Sequence, residues 1–253
     1  MNLALLGYGR MGRAVEAAAR ERGHSVVLIL DADENPEGRG ITPEAMDGVD
    51  VAVDFSVPGA AVDNIRRTAE AGVDLVVGTT GWEERRSEVE EAVRAAGVGL
   101  LHAPNFSIGV NLFFRVVEEA ARLLAPFDAY DAHLVEAHHR HKVDHPSGTA
   151  RKLTDILLER LPGKKEWSKD LPDEGALDPS VLQVSVIRAG EVAGMHAVGF
   201  DGAHDRIEVR HEARGREGFA GGAVLGAEWI RGKAGVFSME DFLADRTGYE
   251  ERG

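Results

Sequence analysis

The chain has 253 residues, 43% hydrophobic and 28% charged, with 30 glycines and only 9 prolines, which suits a globular protein able to bury a core without covalent staples. Its 29 basic and 43 acidic residues leave a net charge of −14, which disfavours a general affinity for nucleic acid or an anionic membrane, and any anionic ligand must meet a local basic island. The absence of cysteine rules out a disulfide scaffold, thiolate catalysis, iron–sulfur clusters and Cys-based zinc sites. No apolar run approaches the roughly 18 residues of a membrane span, and the leading Met-Asn-Leu-Ala-Leu-Leu-Gly is too short for a secretory signal, so a cytoplasmic protein is expected.

Leu3–Leu6 reads as a buried strand, followed by Gly7-Tyr8-Gly9-Arg10-Met11-Gly12 and a helix that runs to Arg22 and stops at Gly23. Ser25–Leu30 is a second buried strand, closed by Asp31, and Val51–Phe55 a third. Ser56 and Pro58 are start signals for a helix ending near Gly72. Leu75–Val77, a charged helix over Glu83–Ala96 and the strand Val98–Leu101 follow. Continuous apolar strands separated by helices predict a doubly wound α/β domain with a parallel sheet covered on both faces.

The pattern then changes. Ile108–Leu124 is an apolar-rich helix, Asp128–Ala137 a strand, and Thr149–Leu161 a helix with Leu153, Ile156, Leu157 and Leu161 at helical spacing. Residues Pro162–Ser180 read as a polar loop. Val181–Ile187, His196–Phe200 and Ile207–Ala213 alternate as strands, predicting an open mixed or antiparallel sheet and an α+β second domain. Helices over Phe219–Ile230 and near Met239–Leu243 close the chain. The expected division is 1–107 with 220–253 for the nucleotide-binding domain and 108–219 for a substrate and oligomerisation domain.

Three features carry chemistry. Gly7-x-Gly9-x-x-Gly12 follows the first strand and opens a helix, and Asp31 ends the second strand 19 residues after Gly12. That is the dinucleotide fingerprint, in which backbone N–H groups approach a pyrophosphate and a carboxylate accepts from ribose hydroxyls. Gly78-Thr79-Thr80-Gly81 and Ala103-Pro104-Asn105-Phe106 fall at the carboxyl ends of the fourth and fifth strands, where ligands of open α/β sheets bind. The third feature is His138-His139-Arg140-His141-Lys142-Val143-Asp144-His145. Five of the ten histidines lie between His133 and His145, and Lys142 is one of six lysines. A solvated loop, a zinc or iron site and an acid–base, anion-binding site are all open on residue type alone, although the segment lacks the HExxH pattern of many zinc sites. His138 and Lys142 are four apart and are expected on one face whether the segment is strand or helix. Pro146-Ser147-Gly148-Thr149 then opens a helix whose free N–H groups and hydroxyls suit a carboxylate, with N-capping by Ser147 or Thr149 as the plainer role.

Taken together, Gly7–Gly12, Gly78–Gly81, Ala103–Ser107, Glu136–Lys142, Pro146–Thr149, Arg188-Ala189-Gly190 and Phe219–Ala223 resemble the 4-hydroxy-tetrahydrodipicolinate reductase family, formerly dihydrodipicolinate reductase, over nearly the whole chain. The resemblance implies reduction of a small cyclic dicarboxylate by NADH or NADPH in lysine and diaminopimelate biosynthesis, by a homotetramer joined through the substrate domain's sheet. It implies His138 as catalytic acid/base and Lys142 as proton donor. His139, Ser147, Gly148 and Thr149 would hold substrate carboxylates. The cofactor would be lined by Gly7, Tyr8, Gly9, Arg10, Met11, Gly12, Asp31, Gly78, Thr79, Thr80, Ala103, Pro104, Asn105 and Phe106, with no metal. The glycine loop is one residue shorter than in many members, His145 replaces a usually small residue, and Gly215-Arg216 stands where many members have Ser-Arg. Two alternatives are another Rossmann-type reductase and a non-catalytic NAD(H) sensor. Of the former, an aspartate-semialdehyde dehydrogenase would need a catalytic cysteine.

Overall fold

The computed structural model describes residues 1–248. The expected assignment of residues 249–253 to the nucleotide-binding domain lies outside them. The chain forms two units: Met1–Ile108 with the segment from Arg216 onward, and Gly109–Gly215. In chain order the elements are β1 (Asn2–Leu6), α1 (Arg10–Glu21), β2 (Ser25–Leu30), β3 (Val51–Asp54), α2 (Pro58–Glu70), β4 (Asp74–Val77), α3 (Arg86–Ala96) and β5 (Gly99–His102). Then come α4 (Ile108–Leu124), β6 (Asp131–His138), α5 (Gly148–Arg160), β7 (Glu166–Ser168), β8 (Val181–Arg188), β9 (Met195–Asp201) and β10 (Arg206–Glu212). The chain finishes with α6 (Glu217–Ile230), β11 (Gly235–Phe237) and α7 (Met239–Thr247). No helix among the described residues is long and apolar enough to cross a membrane.

In the first unit six parallel strands lie in the order β11-β5-β4-β3-β1-β2. The run Leu3–Leu6 is apolar throughout because both faces are covered. Leu3 and Leu5 pack with Val15 and Ala19 of α1 and with Ala223, Val224 and Ala227 of α6. Ala4 and Leu6 turn the other way, onto Leu30, Ile41 and Met46. Farther along the sheet, Leu75, Val77 and Leu100 are covered by Ile65 of α2 and by Val89 and Val93 of α3. Each fully buried Leu or Val side chain contributes about 1.5–3 kcal/mol to this core. The sixth strand, β11, was not expected; three residues carry too little periodicity to be seen, and its pairing with β5 defines it.

In the second unit the order is β10-β9-β6-β8-β7. β8 runs parallel to β6 and β7, while β9 runs antiparallel to β6 and β10, so the sheet is mixed. One face, with Ala132, Leu134, Leu182, Val184, Val198 and Phe200, is covered by Val110, Phe113, Phe114, Val117 and Ala121 of α4 and by Ala150, Leu153 and Leu157 of α5. The alternate residues His133 and Val135 of β6 are half-buried on the opposite face.

Three local expectations change. Residues 162–180 are not wholly loop: Glu166–Ser168 adds the edge strand β7, and Lys164 anchors the segment by donating to Asp131 Oδ1 (2.5 Å) and to the carbonyls of Pro179 and Val181 (both 2.9 Å). The strand expected from Asp128 begins at Asp131, after a turn closed by the Tyr130 N–H on the Phe127 carbonyl. Ser56 does not cap α2. The N-cap is Val57, and the Ser56 hydroxyl instead donates to Asp54.

Candidate active site

Because the first unit's sheet is parallel, the carboxyl ends of β1 to β5 share one edge, and β1, flanked by β2 and β3, is where the strand order reverses. Gly7 has φ +88°, and a Cβ there would lie 2.7 Å from the Phe55 carbonyl oxygen; at Gly12 it would lie 2.3 Å from the Gly7 oxygen. Those two glycines are required by the fold. Gly9 is different: a Cβ there meets nothing within 4 Å, so the protein itself does not need a glycine at this position. Exposed backbone at the start of α1 is a cradle that a side chain would fill, as close approach of a pyrophosphate demands. The Tyr8 N–H donates to Asp31 Oδ1 at 3.2 Å, which fixes the β2 carboxylate beside the glycine loop.

The loops after β3 and β4 are tied to a fully buried carboxylate, Asp54, at the end of β3. Its Oδ1 accepts from Thr79 Oγ1 (2.7 Å), Ser56 N (2.8 Å) and Ser56 Oγ (2.7 Å), and its Oδ2 from Asn64 Nδ2 (2.8 Å). Thr79 is buried on Asp54, and Ala103 and Phe106 are buried in the apolar core beneath the loop after β5. Gly9, Arg10, Asp31, Thr80 and Pro104 are exposed, while Gly7, Tyr8, Met11, Gly78 and Asn105 are half-buried. Asn105 Oδ1 accepts from the Ser107 N–H at 2.9 Å.

In the second unit the helix-covered face of the sheet turns polar at the end of β6. Ala132 and Leu134 give way to Glu136 and His138 on the same face. Glu136 is fully buried. Arg188 Nη2 donates to its Oε1 at 2.8 Å, and the Ser147 N–H reaches Oε1 and Oε2 at 3.1 and 3.2 Å. His196 Nε2 and His138 Nδ1 each lie 3.5 Å from Oε2. The two imidazoles meet edge to face, with centroids 5.1 Å apart. Burial alone pushes the Glu136 carboxyl up, but hydrogen bonds from His196, Ser147 and Arg188 outweigh it and hold the group well below the ordinary carboxylate range. Glu136 is therefore a carboxylate.

His138 responds in the opposite sense. Burial, with repulsion from Lys142 and Arg188, outweighs the attraction of Glu136 and brings its pKa down to about 4. At neutral pH the ring is uncharged. The segment beyond it is neither strand nor helix, so the expectation that His138 and Lys142 share a face by periodicity does not hold. A turn, with the Lys142 N–H donating to the His139 carbonyl (3.1 Å) and Lys142 Nζ 2.8 Å from Asp144 Oδ1, keeps the ammonium near enough to act on His138. Ser147 caps α5, its Oγ accepting from Ala150 N at 3.2 Å. The N–H groups of Gly148 and Thr149, in the first turn, have no intrahelical acceptor and remain for an anion.

Glu136, His138 and His196 bring donor atoms within 4.8 Å of one another. The Arg188 guanidinium, 2.8 Å from the same carboxylate, already supplies the cationic partner and disfavours a divalent ion there. Glu136, Arg188, Asp144 and His196 were not singled out for roles by sequence reasoning. Glu136 and Arg188 lay inside recognised segments, but their pairing crosses 52 positions, and His196, in a strand with no motif of its own, gave no local signal.

Fold and site together define a Rossmann-type oxidoreductase with a separate mixed-sheet unit carrying a histidine–lysine cluster. Residues 1–106 match the family model described as dihydrodipicolinate reductase, N-terminus, and residues 109–243 the one described as its C-terminus. The 4-hydroxy-tetrahydrodipicolinate reductase of Christiangramia forsetii is 38% identical over 246 residues, 97% of this chain and 98% of that one. That of Archaeoglobus fulgidus is 41% identical over 254 residues, covering 93% and 96%. A dipicolinate-bound dihydrodipicolinate reductase from Paenisporosarcina sp. TG-14 shares the fold, with TM-score 0.73, 22% identity and coverage of 94% and 97%. The chain belongs to the dihydrodipicolinate reductase family.

Proposed function

We propose that this protein reduces 4-hydroxy-tetrahydrodipicolinate to tetrahydrodipicolinate in lysine and diaminopimelate biosynthesis, with NADH or NADPH as reductant. The observation that carries the residue roles is the neutral, buried His138 set beside Lys142 and the open N-terminus of α5. The substrate has two carboxylates. In a chain of charge −14 they need local positive potential, which Lys142 and the first-turn N–H groups of Gly148 and Thr149 provide, with the Ser147 and Thr149 hydroxyls and His139 as further donors. A bound reduced nicotinamide supplies hydride. The reaction as a whole also takes up one proton and releases water. The Lys142 ammonium delivers that proton to the electron-rich, nitrogen-containing fragment as hydride arrives, and the neutral imidazole of His138 accepts and passes on protons. Glu136, a carboxylate whose Oε2 lies 3.5 Å from His138 Nδ1, orients that ring without competing for the proton.

For the cofactor, Gly7–Gly12 receive the pyrophosphate at the start of α1, and Gly78–Thr80 and Ala103–Phe106 line the remaining strand ends. Asp31 sits where the ribose hydroxyls bind. A carboxylate there repels a 2′-phosphate, so NADH is favoured. Arg39 lies in the following loop, paired with Glu37, and keeps NADPH usable. The sheet face turned from the helices, with His133, Val135, Gln183, Ser185 and Ile187, supports assembly as a homotetramer. The site of action is the cytoplasm. The deciding experiment follows oxidation of NADH and NADPH with and without the cyclic substrate. Substrate-dependent oxidation is expected; cofactor binding without turnover would identify a nucleotide sensor, and turnover of a different carbonyl or imine would identify another reductase.

A further inference from the structure

Ser147 Oγ has two hydrogen-bond partners within the protein. It accepts from Ala150 N (3.2 Å) and lies 3.1 Å from His196 Nε2. A hydroxyl has one proton and two lone pairs. If the proton is spent on His196 Nε2, none is left for a ligand. The tautomer of His196 decides the matter. Among the described residues His196 Nδ1 is buried without a hydrogen-bond partner. Any form with a proton on Nδ1 would orphan an N–H in the core, and the neutral Nδ1–H form would also face the Nε2 lone pair toward a carboxylate oxygen 3.5 Å away. Only the tautomer with hydrogen on Nε2 fits. That N–H is aimed at both Ser147 Oγ and Glu136 Oε2.

We infer that His196 is a positioning residue for the substrate carboxylate. Its Nε2–H fills the second lone pair of Ser147 Oγ, so the hydroxyl proton is left for the ligand's carboxylate. Without it, that lone pair is open and nothing holds the hydroxyl in the orientation that presents its proton to the ligand. His196 touches neither ligand nor cofactor in this role, and β9 delivers it because its register sets His196 directly opposite Glu136. The inference rests on the proposed placing of Ser147 among the carboxylate ligands.

The test is the inhibition constant of dipicolinate, a planar dicarboxylate, measured on the holoenzyme with reduced cofactor bound. Ser147→Ala should weaken inhibition about 10-fold, the loss expected for a hydrogen bond to a charged group. His196→Leu should weaken it about as much on its own and add less than about 2-fold in the Ser147→Ala background. His196→Gln, whose amide N–H reaches a similar point, should recover to within about 3-fold of the parent. If Ser147→Ala changes nothing, the placing of Ser147 is wrong. If Ser147→Ala weakens inhibition and His196→Leu does not, or if the two losses multiply, the role of His196 is wrong while that of Ser147 stands. Nitrogen-15 spectra of the histidine-labelled unmodified protein decide the same point without a variant. A protonated Nε2 and a bare Nδ1 on His196 are expected, and a proton on Nδ1 would overturn the inference.

Discussion

The two clusters of candidate site residues are made of different material. At the strand ends of the parallel sheet, the ligand-facing surface is mostly backbone: Gly7 and Gly12 let the chain fold back on itself, Gly9 leaves it bare, and side chains such as Asp54 work from below. At the end of β6 the surface is side chains, Glu136, His138, His196 and Ser147, drawn from β6, β9 and the start of α5 and tuned by one another's charge. Backbone sites depend on geometry and tolerate little added volume. Side-chain sites depend on protonation and on partners far away in sequence. Damage to the first should appear in stability and cofactor affinity, and damage to the second in kcat and pH dependence.

The largest effect is expected from the side-chain cluster. Lys142→Ala and His138→Gln should each lower kcat by about 10²–10⁴-fold with little change in KM, the range of a positioned general acid or base. The two act as one unit, so the double variant should be far less impaired than the product of the single losses, and NADH affinity should be nearly unchanged in all three. A single variant retaining more than about half of the parental kcat would remove that residue from the proton-transfer role. A rise in KM alone would make the pair substrate-binding cations.

Gly12→Ala probes the backbone cluster. Its Cβ falls 2.3 Å from the Gly7 carbonyl oxygen, and relief requires the loop or α1 to move. A loss of about 1–3 kcal/mol in folding stability is expected, with weaker NADH binding. Calorimetry and cofactor titration should show both losses together; a variant as stable as the parent with unchanged NADH affinity would show that this loop is not held by close packing.

Acid sensitivity sharpens the contrast further. Unfolded His138 takes up a proton near 6.5, and the folded ring, depressed first by burial, resists until about 4. Between those values the unfolded state binds more protons, so the contribution of this group is complete above pH 6.5 and is lost as the pH falls toward 4, by about 3 kcal/mol in total. His102 and His211, also held down chiefly by burial, act in the same direction. Glu136 adds a loss only below its ordinary 4.5. Denaturant titrations at pH 7 and pH 5 should show a smaller pH dependence in His138→Gln than in the parent, and identical dependence would mean the ring is not desolvated.

Two smaller effects complete the series. Asp31→Ala should weaken use of NADH more than that of NADPH, because only the ribose hydroxyls gain from the carboxylate; an unchanged ratio of kcat/KM values would reduce Asp31 to a partner of the Tyr8 N–H. Prolonged chelation should have no effect on activity. Loss of activity together with stoichiometric zinc or iron in the purified protein would make Glu136, His138 and His196 a metal centre and replace the hydrogen-bonded account of that cluster.

Much of the architecture was legible from residue order. Leu3–Leu6 and Val51–Val53 are continuous apolar runs because both faces of the sheet are covered there, whereas Ser25–Leu30, equally apolar and expected to be buried, lies at the sheet edge with Val27 and Ile29 exposed. The glycine fingerprint was readable for a similar reason: neighbours in sequence are neighbours in the turn, so Gly7, Gly12 and Asp31 sit in a fixed local grammar. The strands β7 and β11 escaped because three residues show no period, and pairing with a neighbour is what makes them strands. The clustering of histidines and Lys142 stood out by composition alone, yet their arrangement did not follow from spacing, since a turn and not a periodic element carries Lys142. Only the tertiary structure decided which groups face His138. Glu136 lies two positions away on the same strand face, but Arg188 and His196 arrive from adjacent strands through register, 52 and 60 positions from Glu136. Local order determines what a residue can do chemically; burial and the charges brought beside it determine its protonation, and those come from contacts that no stretch of sequence contains.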